Sequence, residues 1–157
     1  MKNELKQELT RRLCACNNGG LVLVMYDIYF GFSEDVKAAL ASNDRAALKK
    51  AVADVQAALD ELIGALDFKY PLAGQLYPLY SYCKRLFSTV LYSLDVSVVD
   101  EADVIMKKLR ISFETAAADD KSAPLMDNAQ KVYAGMTYGK GRLTESFIND
   151  DYRGFLA

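Results

Sequence analysis

The chain contains no histidine and no tryptophan, and it has only three prolines and three cysteines among its 157 residues. Histidine is the usual general acid or base near neutral pH and a common metal ligand. Its absence excludes the Glu-x-x-His pattern of di-iron helical bundles, while the carboxylates fall mainly on polar helix faces. We therefore predict a protein that is not an enzyme, with no catalytic residue and no cofactor.

The cysteines give no support for a disulfide framework or a metal site. Cys14, Cys16 and Cys83 are an odd set in a chain too large to need covalent stapling. A structural zinc site needs four soft ligands, and three cysteines without histidine cannot supply them. We expect reduced thiols and no bound metal.

The charge pattern and the apolar runs exclude two further classes of partner. The formal net charge is -2, with acids and bases interspersed, so no basic stripe marks a nucleic-acid surface. The longest apolar run, residues 21–32, is interrupted by Asp27 and is shorter than the roughly 20 residues that a membrane-spanning helix needs. No signal peptide precedes it. We expect no nucleic acid, no membrane insertion and a cytoplasmic location.

What the chain does have is apolar residues spaced three or four apart in one short and four long segments, which indicates amphipathic helices. The pattern predicts an all-α fold: an antiparallel four-helix bundle with an additional short N-terminal helix and a partly ordered C-terminal tail. We predict a single domain over residues 1–157. It divides into an N-terminal amphipathic segment (1–16), a bundle core (20–119) and a C-terminal extension (122–157) with a short helix near 127–134.

Local signals place some helix ends. Asp44 and Asp95 are predicted to precede the second and fourth long helices, and Pro71 suits the first turn of the third. Pro78 then implies that this helix either starts near Gln75 or kinks. The run 18–20, Asn-Gly-Gly, predicts a weak cap and a loose hinge before the first long helix.

Two segments, LVLVMYDIYFGF and QLYPLYSYCKRLFSTVLY, carry a second, tyrosine-rich stripe beside the apolar seam. A bundle helix needs one apolar face, so a second face indicates either full burial or a docked partner. Tyrosine fits both, because it can bury its ring in a core or anchor an interface. On the first interpretation about half of the following tyrosines belong to the core or its rim. They are Tyr26, Tyr29, Tyr77, Tyr80, Tyr82 and Tyr92.

Three short motifs, taken in order, resemble a known family. Met25-Tyr26-Asp27 lies in an L-L-x-L-Y-D/E-like segment, LYSYCKR (79–85) in an L-Y-x-Y-x-x-R-like segment, and Asp95 opens the last helix. Together they resemble the flagellin-specific export chaperone family FliS. The segment SAPLMDNAQKVYAGMTYGKG is similar to a C-terminal extension of clostridial-type members.

This resemblance implies a secretion chaperone. It would bind the disordered C-terminal segment of newly made flagellin, prevent premature polymerisation and keep flagellin competent for export. The flagellar export apparatus is a further candidate partner. The candidate groove residues are Met25, Tyr26, Tyr29, Leu76, Leu79, Tyr80, Tyr82 and Phe87. The family resemblance also implies a displaceable N-terminal lid, here carried by Leu5, Leu9 and Leu13.

Two alternatives remain open on the sequence. One is a helical-bundle interaction or regulatory module for another flagellar protein. The other is a helical-bundle enzyme that uses carboxylates and tyrosine hydroxyls, which would need a polar pocket inside the bundle.

Overall fold

Residues 3–125 are described by a computed structural model, and their regular structure is entirely helical. The helices are α1 (Asn3–Ala15), α2 (Asn18–Ala41), α3 (Arg45–Gly64), α4 (Pro71–Ser93) and α5 (Val96–Ala118). The predicted helix near 127–134, with most of the C-terminal extension, lies outside the described residues.

The four long helices form a closed ring. Helix α2 packs against α3 and α5, and α4 packs against the same two helices, so that each long helix contacts its chain neighbours and α5 returns to α2. Short connections make neighbouring helices antiparallel. Helix α1 packs against α2 on the outside of this ring. The predicted antiparallel bundle with an additional N-terminal helix is confirmed.

Side-chain caps start three of the long helices. Asp44 accepts hydrogen bonds from the backbone N–H groups of Ala46 and Ala47, both at 3.0 Å, and Asp95 accepts one from Ser97 at 2.8 Å. Such bonds satisfy donors that the first helical turn leaves free. Both predicted caps are confirmed.

The weak cap predicted before α2 is wrong. Asn17 caps the helix, its side-chain oxygen accepting a hydrogen bond from the Gly20 N–H at 2.9 Å, and the glycine pair lies inside the first turn. Glycine is needed there for space, because a Cβ on Gly19 would lie 2.9 Å from the Cβ of Ala117 in α5.

Helix α4 runs without interruption from Pro71, so the alternative start near Gln75 is also wrong. Pro71 occupies the first turn as predicted. Pro78 lies inside the helix at an exposed position. There, solvent can bond the helical carbonyl that a proline nitrogen leaves without a donor.

The core lies between α2, α3, α4 and α5 and is unusually rich in tyrosine. Its largest fully buried side chains include Tyr26, Tyr29, Tyr80, Phe87, Leu59 and Met106. Between residues 3 and 125, every helix is too short or too polar to cross a membrane.

Candidate partner-binding surface

Most of the residues predicted from the sequence to line a groove lie inside the bundle. Five of them are less than a tenth exposed, and they are Tyr26, Tyr29, Leu76, Tyr80 and Phe87. In this conformation they form the core and offer almost no surface to a partner. Among the six tyrosines of the stripe, Tyr26, Tyr29 and Tyr80 are buried and Tyr82 is partly buried, so four lie in the core or at its rim, close to the predicted half.

Tyr26 of α2 and Tyr80 of α4 are joined through their hydroxyl groups, which lie 2.6 Å apart. The ring of Tyr26 also lies against Phe113 of α5, with centroids 5.7 Å apart. Burial raises the pKa of both phenols, that of Tyr26 far above its usual value, and the hydroxyl pairing raises the pKa of Tyr26 further while it lowers that of Tyr80. The pair therefore stays neutral and links three helices across the core.

Tyr29 belongs to a second polar group that joins α2 to α5. Its hydroxyl donates to Asp103 at 3.1 Å, and Ser33 donates to the same carboxylate oxygen at 2.7 Å. Lys37 lies 2.8 Å from both Asp103 and Asp100. Although burial opposes the charge on Lys37, these carboxylates raise its pKa overall. Three contacts, from Tyr29, Ser33 and Lys37, thus hold the carboxylate of Asp103 in place.

Met25, Leu79 and Tyr82 are the three predicted groove residues that reach the surface. Leu79 is 37% exposed, and the other two are partly buried. The hydroxyl of Tyr82 donates to Glu101 of α5 at 2.5 Å, and the guanidinium of Arg85 lies 5.6 Å from its ring centroid. The hydrogen bond to Glu101 raises the pKa of Tyr82.

Met25 lies in an open apolar depression at the end of the bundle where α2 begins and α3 turns into α4. The depression encloses about 280 Å3. Leu76 and Tyr80 lie at its base, being nearly buried. Its other apolar walls come from all four long helices and the turn before α4, and they are Val22, Leu62, Ala65, Leu66, Tyr70, Leu72, Ala73 and Phe113.

A second depression of about 560 Å3 continues from Met25 along the groove between α2 and α3. On the α2 side it is lined by Leu21 and Ile28 as well. The α3 side is lined mainly by small residues, which allow a close approach by another backbone, and they are Ala58, Gly64 and Ala65. The two depressions share Met25 and Ala65, and we call them together the Met25 groove.

Sequence reasoning missed most of this surface. Tyr70 and Leu72 flank Pro71 and are 67% and 53% exposed, although each carries a large apolar side chain. Exposed apolar side chains that cluster around a depression are typical of interaction sites. The signal available in the sequence was this apolar pair at a helix start, where polar residues are usual.

The predicted lid residues lie on α1 with different exposures. Leu9 is 4% exposed, whereas Leu5 and Leu13 are 38% and 40% exposed. Arg12 of α1 contacts Asp27 of α2 at 2.6 Å, and that carboxylate also binds Arg110 of α5 at 2.7 Å. Asp27, the acidic residue of the first motif, thus ties the N-terminal helix to the bundle.

No group of three or more cysteine, aspartate or glutamate side chains within residues 3–125 is placed to hold a metal ion. The thiol of Cys83 is buried between α4 and α5, and burial raises its pKa to about 12. It is therefore a core side chain rather than a reactive thiolate.

A closed ring of four helices, a fifth helix on its outer side and an open apolar groove define a helical-bundle protein with an uncovered apolar surface, a feature typical of interaction sites. Residues 1–120 match the family described as Flagellar protein FliS. The chain belongs to this family, whose members are flagellar export chaperones for flagellin. No curated protein matched the chain.

Proposed function

We propose that this protein binds the C-terminal segment of newly made flagellin in the cytoplasm and holds it until export. Family membership supplies the client class. The observation that carries the proposal is the Met25 groove, an apolar surface that the bundle's own helices leave uncovered.

The groove has the features that an amphipathic helix requires. Its walls are mainly apolar, with Glu61 and Asp67 as acidic exceptions, and they come from several helices. Small side chains line its α3 side. A helix laid in such a groove buries residues spaced three or four apart, and the disordered segment gains structure only on binding. Occupying the sticky end of flagellin in this way would prevent premature polymerisation.

The buried motif residues support the groove from below instead of lining it. Tyr80 and Leu76 pack beneath the first depression, and Met25 lies at the junction of both depressions. Of the eight groove residues predicted from the sequence, Met25 is the one we retain in the proposed contact surface. Tyr26, Tyr29 and Phe87 act by positioning α2 and α4.

Calorimetric titration with a peptide of the flagellin C-terminal segment tests this proposal. We expect binding near or below micromolar, a negative heat-capacity change and a gain of peptide helicity, because apolar burial is coupled to folding. Failure to bind, with the helical content of the protein intact, would overturn the assignment of flagellin as the client.

A matched pair of variants tests the location of the site. Leu72 in the groove and Ile111 on α5 outside it are aliphatic residues with nearly equal exposure, 53% and 52%. Leu72→Ala should weaken binding about tenfold, the effect of losing a moderate hot spot, while Ile111→Ala should leave the affinity unchanged. Equal effects of the two substitutions would exclude the Met25 groove as the binding surface.

A further inference from the structure

Residues 119–125, which follow α5, run across the turn between α1 and α2. We call this segment the strap. Its residue Asp120 accepts a hydrogen bond from the Gly19 N–H at 3.0 Å through its carboxylate. The backbone carbonyl of Asp120 accepts a second bond, also 3.0 Å long, from the side-chain amide of Asn17. The strap is therefore fixed to the first turn of α2 by two bonds at one residue.

The far end of the strap is bonded to the last residue before that turn. The Leu125 N–H donates to the Cys16 carbonyl at 2.9 Å. Between the two attachment points, the Asp120 carboxylate also accepts a bond from the Ser122 N–H at 2.9 Å, which fixes the local course of the strap. The attached residues 16 and 17 are the two that separate α1 from α2.

Close packing brings the strap to this turn. The end of α5 approaches the start of α2 so closely that a Cβ on Gly19 would lie 2.9 Å from the Cβ and 3.1 Å from the Cα of Ala117. Because Ala117 lies two residues before the strap begins, this contact places the start of the strap beside the turn.

Helix α1 is the helix with the fewest attachments to the bundle. Of the described helices it packs on α2 alone, and two of its three leucines remain more than a third exposed. Leu9, Cys14 and the Arg12–Asp27 ion pair are among its points of attachment. A 13-residue helix released from such a surface is marginally stable in water.

We propose that the strap is a lock on α1. Residues 16 and 17 lie outside both helices and form the natural hinge for α1 to leave α2. Rotation of the backbone there displaces the Cys16 carbonyl and the Asn17 side chain from their strap partners, so the strap detaches when α1 opens at this hinge. Combined with the proposed function, on which this last step rests, release of the strap would expose to the client a further part of α2, the part that α1 covers, in addition to the open Met25 groove.

Hydrogen–deuterium exchange on the full-length free protein tests the lock. Asp120→Ala removes the carboxylate that holds Gly19, and Asp119→Ala is the matched control because Asp119 is an exposed neighbour of equal charge. We expect the amides of α1 to exchange about tenfold faster in Asp120→Ala, from loss of a charge-assisted hydrogen bond, and to be unchanged in Asp119→Ala. Amides of α3 and α4 should keep their protection in both variants.

If Asp120→Ala destabilises the whole bundle, a second pair of variants tests whether the strap holds α1 in place. Leu125→Pro removes the N–H that bonds Cys16, whereas Leu125→Ala shortens the same half-exposed side chain and keeps the N–H. Faster exchange of α1 in the proline variant alone supports the lock. Equal exchange of α1 in both Leu125 variants would overturn it.

Titration of the same variants with the flagellin peptide separates this inference from the proposed function. Tighter binding by Asp120→Ala than by Asp119→Ala supports control of the client site by the strap. Equal affinities, together with a released α1, would overturn that control. Absence of binding by every variant would overturn the flagellin assignment, while the exchange data would still decide the lock.

Discussion

At the scale of single residues, the hydroxyl pair of Tyr26 and Tyr80 shows how polar atoms are tolerated in the core. The two oxygens are 2.6 Å apart, and both side chains are at most 1% exposed. One hydroxyl donates to the other, so each of the two oxygens has a hydrogen-bond partner. A buried polar group costs free energy chiefly when its partner is removed and it is left unsatisfied.

Because the cost arises when one partner is removed, substitutions of the two tyrosines should have strongly non-additive effects on the free energy of unfolding. Tyr26→Phe or Tyr80→Phe alone should lower the free energy of unfolding by about 1–3 kcal/mol, because one buried hydroxyl loses its partner. The double variant should lose no more than either single variant, since no unpaired hydroxyl remains. Urea unfolding of all four proteins measures this cycle. Losses that simply add would show that the hydroxyls do not depend on each other.

The same residues show where sequence reasoning stopped. Periodicity identified a tyrosine stripe beside the apolar seam, and Tyr26, Tyr29 and Tyr80 belong to it. Which of two adjoining helix faces is buried depends on the neighbouring helices, and this information is not contained in the spacing of one segment. The motif residues were recognisable from the sequence, but their position inside the core was not.

At the scale of helices, the caps formed by Asp44 and Asp95 were predictable, whereas the start of α2, which combines the Asn17 cap with a tertiary contact, was not. Asp44 and Asp95 act through local hydrogen bonds, and the sequence identified both. The start of α2 depends on Ala117, which is close in space but about a hundred residues away in the chain. Glycine at that position was therefore misread as a sign of looseness.

Two glycine substitutions should therefore change the stability of the fold in opposite directions, because only one of them meets a neighbouring helix. Gly19→Ala should destabilise the fold by about 1–3 kcal/mol, because the new methyl group overlaps Ala117. Gly74→Ala, at an exposed position of α4 with nothing within 4 Å of the new Cβ, should stabilise it by about 0.5–1 kcal/mol. Thermal and urea unfolding check the two signs. Stabilisation by both substitutions would mean that α5 does not pack closely against the start of α2.

At the scale of the whole molecule, the bundle was predictable because four amphipathic segments with short connections have few ways to bury their apolar faces. The Met25 groove was not, because it is assembled from the ends of several helices and the turn before α4. Packing of the four long helices also affects the ionisable groups that it buries. Burial raises the pKa of Tyr26, Tyr29, Tyr80 and Cys83, so all four protons are retained in the folded chain.

These raised pKa values predict a loss of stability at alkaline pH. The unfolded chain releases the Cys83 proton near its ordinary pKa of 9.0 and the tyrosine protons near 10.0, while the folded chain keeps them. The unfolded state then binds fewer protons, so the free energy of unfolding falls as pH rises. Stability should thus be constant with respect to these groups below about pH 8, begin to fall near pH 9 and fall more steeply above pH 10.

Urea unfolding at a series of pH values, compared with the Tyr26→Phe/Tyr80→Phe double variant, measures this effect. The double variant lacks two of the buried phenols, so its stability should fall less steeply above pH 10, while the contribution of Cys83 near pH 9 remains. An identical alkaline slope in both proteins would show that Tyr26 and Tyr80 ionise in the folded core as easily as in water. Such ionisation is incompatible with the dry hydroxyl pair that links α2 to α4.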